Sequence, residues 1–305
     1  MTGFLLRRIL AAVPVLLAVV TLTFLLMRLA PGSPFSTERS FPPAILRQLE
    51  ARYQLDGTPG QQYLHYLDHL RHGDLGLSTR YRNRTVNEVL KQTLPVSLTL
   101  GAAAFVVALG IGVGLGSFAA VFHNRAADRL AMFAALLGIS LPVFVLAPLF
   151  ILLFGVAWKW VPVAGWGGFR ELILPAVCLA LPFAAAIARL MRASLLDVLG
   201  QDFIRTARAK GMTEERVVLV HALKVAILPV VSYAGPLAAN LLTGSLVIEQ
   251  LFAIPGIGPF FVNSVLNRDL FMVGGIVLLY SVLLIGFNIV VDILYAWLDR
   301  RIRLT

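Results

Sequence analysis

Six long apolar stretches constrain this chain more than any other feature. They cover 9–29, 96–122, 130–157, 172–190, 225–248 and 272–298. A helix rises 1.5 Å per residue, so about 20 apolar residues cross a hydrocarbon layer of about 30 Å. Lipid offers the backbone no hydrogen bonds, so each stretch must satisfy its own amides by forming a helix. The expectation is an all-α polytopic membrane protein with about six transmembrane helices. Composition agrees. Hydrophobic residues make up 58% and charged residues 14% of the 305 positions, against about 45–50% and 25% in soluble domains.

The first stretch follows Arg7 and Arg8, as a signal peptide would. Its apolar run is about twice the usual signal length and no A-x-A site follows it, so it reads as an uncleaved span. Orientation comes from charge in the short loops. Arg7, Arg8, Arg125, Arg129, Arg192, Arg205, Arg208, Lys210, Arg216, Lys224, Arg300, Arg301 and Arg303 all fall on one side of six spans. The short loops opposite carry Lys159, Arg170 and Arg268. The basic side is therefore read as cytoplasmic, with both termini inside. The net charge of +10 is placed by the lipid surface and needs no nucleic acid. The single cysteine, Cys178, lies in an apolar run and can form neither an internal disulfide nor a thiolate metal site alone.

This organises the chain into an N-terminal segment with the first span (1–30), an external subdomain (31–95), a five-helix core (96–298) and a tail (299–305). A cytoplasmic loop at 191–224 interrupts the core. Within 31–95, Pro42-Pro43 suits a helix start, 44–54 and 61–72 read as short helices, and Gly73-Asp74-Leu75-Gly76 reads as a turn. His65, His69 and His72 share a helix face, but no further ligand completes a metal set, so a solvated face is expected and no metal. Gly110/Gly114 and Gly112/Gly116 are spaced for close packing inside the bundle or against a partner subunit.

The most informative segment is Arg205-Thr206-Ala207-Arg208-Ala209-Lys210-Gly211. Ala207, Ala209 and Gly211 are small enough to admit another surface. Arg205, Arg208 and Lys210 offer charge-assisted hydrogen bonds to an acidic groove. Gly211 fits a helix C-terminus, and Glu214-Glu215 suit the next helix's first turn. An amphipathic helix at the lipid headgroups would read the same way. Phosphate-binding G-x-x-x-x-G-K-[ST], G-x-S-x-G and H-E-x-x-H patterns are all missing, so no catalytic residue is assigned.

The same segment, followed by Ile227-Leu228-Pro229, resembles the ATPase-coupling loop of ABC importer permeases in its peptide/nickel form. Arg205-Thr206-Ala207 stands at the family's E-A-A positions, and Pro229 lies further from Gly211 than in the generic pattern, as in that branch. Met27-Arg28-Leu29-Ala30-Pro31-Gly32, Gly73-Asp74-Leu75-Gly76-Leu77-Ser78, Ile254-Pro255-Gly256-Ile257-Gly258, Asn267-Arg268-Asp269 and Arg301-Ile302-Arg303 extend the resemblance along the chain. It is strongest to the B-type membrane subunits of oligopeptide importers. The resemblance implies a type I ABC importer permease fold in a bacterial inner membrane. It also implies a second homologous permease subunit, two ABC ATPase subunits that hold the ATP and Mg, and an external peptide-binding protein. Oligopeptide is the implied substrate, with dipeptides, nickel or glutathione as alternatives. A secondary transporter is the reading from a different class. Glu249, Pro255, Gly256, Gly258, Arg268 and Asp269 are the candidates for an external gate, because Pro and Gly interrupt the helix there.

Overall fold

Polar backbone among apolar side chains must satisfy its own hydrogen bonds, and helix is what the described residues mostly form. The computed structural model describes residues 2–29, 42–53, 55–81, 83–242 and 246–298. Four helices are long and apolar enough to span on their own: α1 (Thr2–Leu29), α4 (Val86–Val121), α7 (Phe169–Leu199) and α14 (Leu270–Leu298). Two bent helix pairs among the described residues bring the number to six if each is counted as one span. Among the described residues the sole β pairing is an isolated bridge between Leu77 and Thr85.

The run 130–157 is not one straight helix. It divides into α5 (Ala126–Ser140) and α6 (Val143–Phe150), which continues as a π-helical stretch, Ile151–Ala157, and the two parts are bent by 109°. Pro142 supplies the reason, since it has no amide to continue the ladder. The fifth span also breaks. The helices α9 (Glu214–Arg216) and α10 (Leu223–Ala226), joined by a π-helical stretch Val217–Ala222, meet α11 (Leu228–Leu242) at a 51° bend. Pro229 sits in the first turn of α11, where its missing amide costs least. The helix through the second span starts at Val86, ten residues before the hydropathy edge, and α7 runs past 190 to Leu199. The remaining helices are α2 (Pro43–Arg52), α3 (Pro59–Arg71), α8 (Asp202–Ala209), α12 (Leu246–Leu251) and α13 (Ile257–Leu266).

The described residues fall into two compact units, one drawn from 2–97 and 255–289, the other from 98–254 and 290–298. In the first, Val86, Val89 and Leu90 of α4 bury against Ile257 of α13 and against Met272 and Ile276 of α14. Leu75, Tyr81, Phe260 and Phe271 close over that core. Thr58 and Gln61 form a capping box that starts α3. The face of α3 that carries Gln62 and Tyr63 meets α1: Tyr63 Oη lies 2.6 Å from Thr21 Oγ1, Arg28 donates to Gln62 Oε1, and Phe24 packs on Tyr63.

In the second unit α7 is the central helix. Cys178, Ala180, Ile187, Ala188, Met191 and Leu195 are buried along it. Gly112 and Gly116 of α4 lie against its C-terminal half. A Cβ on Gly116 would meet the Ala188 carbonyl and sit 2.8 Å from Met191 Cβ. Gly110 and Gly114, spaced identically, face open space. The two glycine pairs therefore differ: one packs inside the unit and the other stays on its surface.

Candidate functional site

The segment singled out by its basic and small residues forms a short helix and its stop. After α7, Gly200 and Gln201 turn the chain into α8. Ile204 and Ala207 are buried where α8 packs against the π-helical stretch, itself buried at Val217 and Ala222. Phe203, Arg205, Thr206, Arg208, Ala209, Lys210 and Gly211 are exposed. Ala207 thus faces inward and does not offer a surface to a partner, contrary to its expected part. A helix this short cannot bury more than one stripe, and Ile204 with Ala207 is that stripe.

The stop of α8 has defined geometry. Gly211 N–H donates to Arg208 O at 2.9 Å and Met212 N–H reaches Ala207 O at 3.4 Å. These are the two bonds of a Schellman motif. Gly211 has φ +77°, and no atom of the chain lies within 4 Å of where its Cβ would be. Arg208 donates from Nε to Glu214 Oε1 at 2.6 Å and from Nη2 to Oε2 at 3.2 Å. Arg205 lies 3.5 Å from Asp202. Both pairs are exposed and so exchange readily for other acidic partners.

The gate candidates fall in different settings. Glu249 in α12 is fully buried, and its carbonyl accepts the Ile254 amide at 2.9 Å. It does not sit at a water-facing edge. Pro255 is exposed, whereas Gly256 and Gly258 are buried. Gly258 is helical, because α13 starts at Ile257 with Gly256 as its N-cap. A glycine cap has no side chain to hold the first amide, and Ser97 of α4 supplies it: Ile257 N–H donates to Ser97 Oγ at 3.0 Å.

Arg268 occupies a left-handed turn with φ +56°. Asp269 is fully buried. Its carboxylate accepts the Met272 amide at 3.2 Å, the Arg80 amide at 3.3 Å and the Ser78 hydroxyl. It caps α14 and ties the 78–80 turn to that helix, so it makes no outward contact.

The histidines of α3 have local partners. His69 Nδ1 lies 2.9 Å from Asp74 Oδ2, and His72 Nδ1 lies 2.9 Å from Asp68 O. The Gly76 amide holds the Asp74 carboxyl below its ordinary range, with help from His69. Burial pushes the Tyr66 hydroxyl up to about 12. Among the described residues no group of three His, Cys, Asp or Glu could hold a metal ion.

Sequence reasoning passed over Asp128 and Ser97 and gave Ser78 no role of its own. Asp128 is 2% exposed and takes both prongs of Arg192, at 2.7 and 2.8 Å. Nothing in the local pattern announces this, because Arg125 and Arg129 flank Asp128 while its partner lies 64 positions away.

Comparison with known proteins adds three findings. Residues 112–304 match the family described as binding-protein-dependent transport system inner membrane component, and residues 1–101 match the N-terminal component of the same membrane proteins. The chain is 47% identical to the oligopeptide transport system permease protein OppB of Salmonella typhimurium, across 99% of this chain and 100% of that one. It is 46% identical to OppB of Escherichia coli strain K12 with the same coverage, and 43% identical to the dipeptide transport system permease protein DppB of Bacillus subtilis across 100% and 99%. Among solved structures it is similar to a chain of the inward-facing MetNI methionine ABC transporter, with TM-score 0.51 and 18% identity. That match covers 67% of this chain and 95% of that one. A crystal structure of an amino acid ABC transporter gives TM-score 0.50 at 19% identity, over 71% and 95%. These likenesses are of fold, that of type I ABC importer permeases.

Proposed function

The chain belongs to the binding-protein-dependent transport system inner membrane components, and from that premise we propose that it is the oligopeptide-translocating permease subunit of an ATP-driven importer. The observation that carries this is similarity to oligopeptide permeases across practically the whole length. The chain is non-catalytic in this reading. A second homologous permease subunit completes the pathway, and two ABC ATPase subunits bind the ATP and Mg. An external peptide-binding protein delivers the substrate. Both termini and the 191–224 segment lie in the cytoplasm, where short-loop Lys and Arg collect.

The exposed face of α8, with Gly211 at its end, is the surface offered to an ATPase. A partner acting on Arg205, Thr206, Arg208, Ala209, Lys210 and Gly211 would displace α8. Its buried stripe of Ile204 and Ala207 would carry that displacement into the spans as a rigid-body shift. Closure of the ATPase dimer then switches the spans between outward-open and inward-open states. On the outer side, residues 251–269 form the gate and face the delivery protein. Asp269 and Ser97 hold that segment from within, and Pro255 and Arg268 give it its turns.

The test is the complete complex in liposomes. Oligopeptide should stimulate ATP hydrolysis and accumulate inside. Gly211→Trp places a large side chain into space empty of this chain's own atoms, but at a left-handed φ that costs any L residue about 1–2 kcal/mol. Gly211→Ala carries the same backbone cost without the bulk and is the control. Against it, Gly211→Trp should lose peptide uptake per ATP. Fully coupled uptake in that variant would sink the assigned role. The 43% identity to a dipeptide permease gives the second reading. Preferential uptake of dipeptides over longer peptides in competition would establish it in place of the first.

A further inference from the structure

We propose that Asp128 and Arg192 form a positioning pair that makes α5 follow the movement of α7 and α8. The inference rests on the reading of 205–211 as the coupling segment. It concerns residues that no motif or family feature assigns.

One carboxylate gathers three elements of the second unit. Asp128 stands in the first turn of α5 and is 3% exposed at its side chain. Arg192 of α7 donates to it from Nε at 2.7 Å and from Nη2 at 2.8 Å. The Asn124 amide, in the turn after α4, donates to Asp128 Oδ2 at 2.9 Å. Asn124 is left-handed, with φ +61°, and this bond closes its turn. His123 in the same turn accepts from Arg192 Nη2 at 3.2 Å. The neighbouring cations Arg125 and Arg129 stay exposed, so the carboxylate bypasses its own helix and crosses to α7.

Position gives the pair its use. Arg192 lies seven residues before the end of α7 at Leu199, about 10 Å of helix. Beyond Gly200 and Gln201 the chain becomes α8. A displacement of α8 therefore enters α7 beside this pair. The α4 contact through Gly112 and Gly116 is van der Waals packing, which resists approach but permits sliding. A two-pronged guanidinium–carboxylate bond fixes direction and register as well. A buried ion pair adds little stability relative to an apolar pair of the same size, so geometry is what it contributes here.

The experiment uses the full complex in liposomes, reading peptide delivered per ATP hydrolysed and the amount of ATPase that co-purifies. Asp128→Asn should keep the ATPases bound and hydrolysing, while delivery per ATP falls about ten-fold, the scale of one lost charge-assisted bond. Asp128→Glu, which keeps the carboxylate, should restore much of the ratio. A merely structural role would instead lower assembly and leave the ratio of the assembled fraction unchanged. That result would overturn the proposal. Should Asp128→Asn fail to assemble, Arg192→Lys decides, because it keeps the charge and loses the second prong. A reduced ratio supports the proposal and an unchanged one refutes it. Gly211→Trp runs alongside. If it uncouples and the pair variants do not, only this inference falls. If neither does, the coupling reading falls with it.

Discussion

Replacing Gly116 by alanine should destabilise the chain, while the same change at Gly114, two residues away on the same helix, should not. A Cβ at Gly116 would press on the Ala188 carbonyl and stand 2.8 Å from Met191 Cβ and 3.0 Å from Ala188 Cα. The two distances are about 0.4–0.6 Å short of ordinary contact, and two of the three atoms met are backbone, so α4 and α7 must separate. Overpacking of this kind costs about 1–3 kcal/mol. A Cβ at Gly114 meets nothing within 4 Å. Both substitutions gain the same helix preference, up to about 1 kcal/mol, so it cancels in the comparison. The difference between the variants is then the cost of separation alone. It corresponds to about 2–5 °C in unfolding midpoint for a chain of this size. Cys178 provides the assay, since it is the single cysteine and is buried in α7. A thiol-reactive fluorophore on the detergent-solubilised subunit reports its exposure on heating. Equal midpoints, or a lower one for Gly114→Ala, would refute the packing argument.

Two further outcomes follow from the first unit. Asp269→Asn turns an amide NH2 toward the Ser78 hydroxyl and the Arg80 amide, or else loses the Met272 cap. It should cost about 1–3 kcal/mol and speed proteolytic cleavage between 74 and 85, and an unchanged rate would show the network to be idle. The Asp74 carboxyl has a lowered pKa in the folded chain, chiefly from the Gly76 amide. Its contribution is therefore present above the unfolded value, about 4, and is lost as pH falls through the lower folded value. The protection factor of the Gly76 amide, its exchange rate set against the intrinsic rate at each pH, should be steady near neutrality and fall as pH drops through that window, and Asp74→Asn should abolish that dependence. A flat profile in the unaltered chain would contradict the linkage.

How much of this was legible depends on whether the deciding force is local. The spans, the short helices of the 42–72 region and the stop at Gly211 were readable, because hydropathy, Pro at a helix start and Gly at a helix end act within one turn. The break in the third span was hidden inside an unbroken apolar run. Hydropathy measures solvent preference and is blind to Pro142, whose effect is on the amide ladder. Gly110/Gly114 and Gly112/Gly116 are equivalent as sequence, and the position of α7 alone separates them. Asp269 looked like a loop charge because the Ser78 hydroxyl that buries it lies 191 positions away. Ala207 looked like part of an outward face because an eight-residue helix can turn either side inward.

The same distinction bears on how force would travel from α8. It adjoins α7, which stays helical for 31 residues despite Pro175 and Pro182, about 46 Å of helix, and both prolines lie before Arg192. It also packs on the π-helical stretch Val217–Ala222, which leads to the 51° bend before α11. A π-helical stretch and a bend are where a helix yields to rotation. A push on α8 therefore divides unequally. Along α7 it is passed on intact, and toward α11 it is spent at the bend. The Asp128–Arg192 pair sits on the stiff branch, where a displacement still has its full amplitude, and that is where a link to α5 can transmit it.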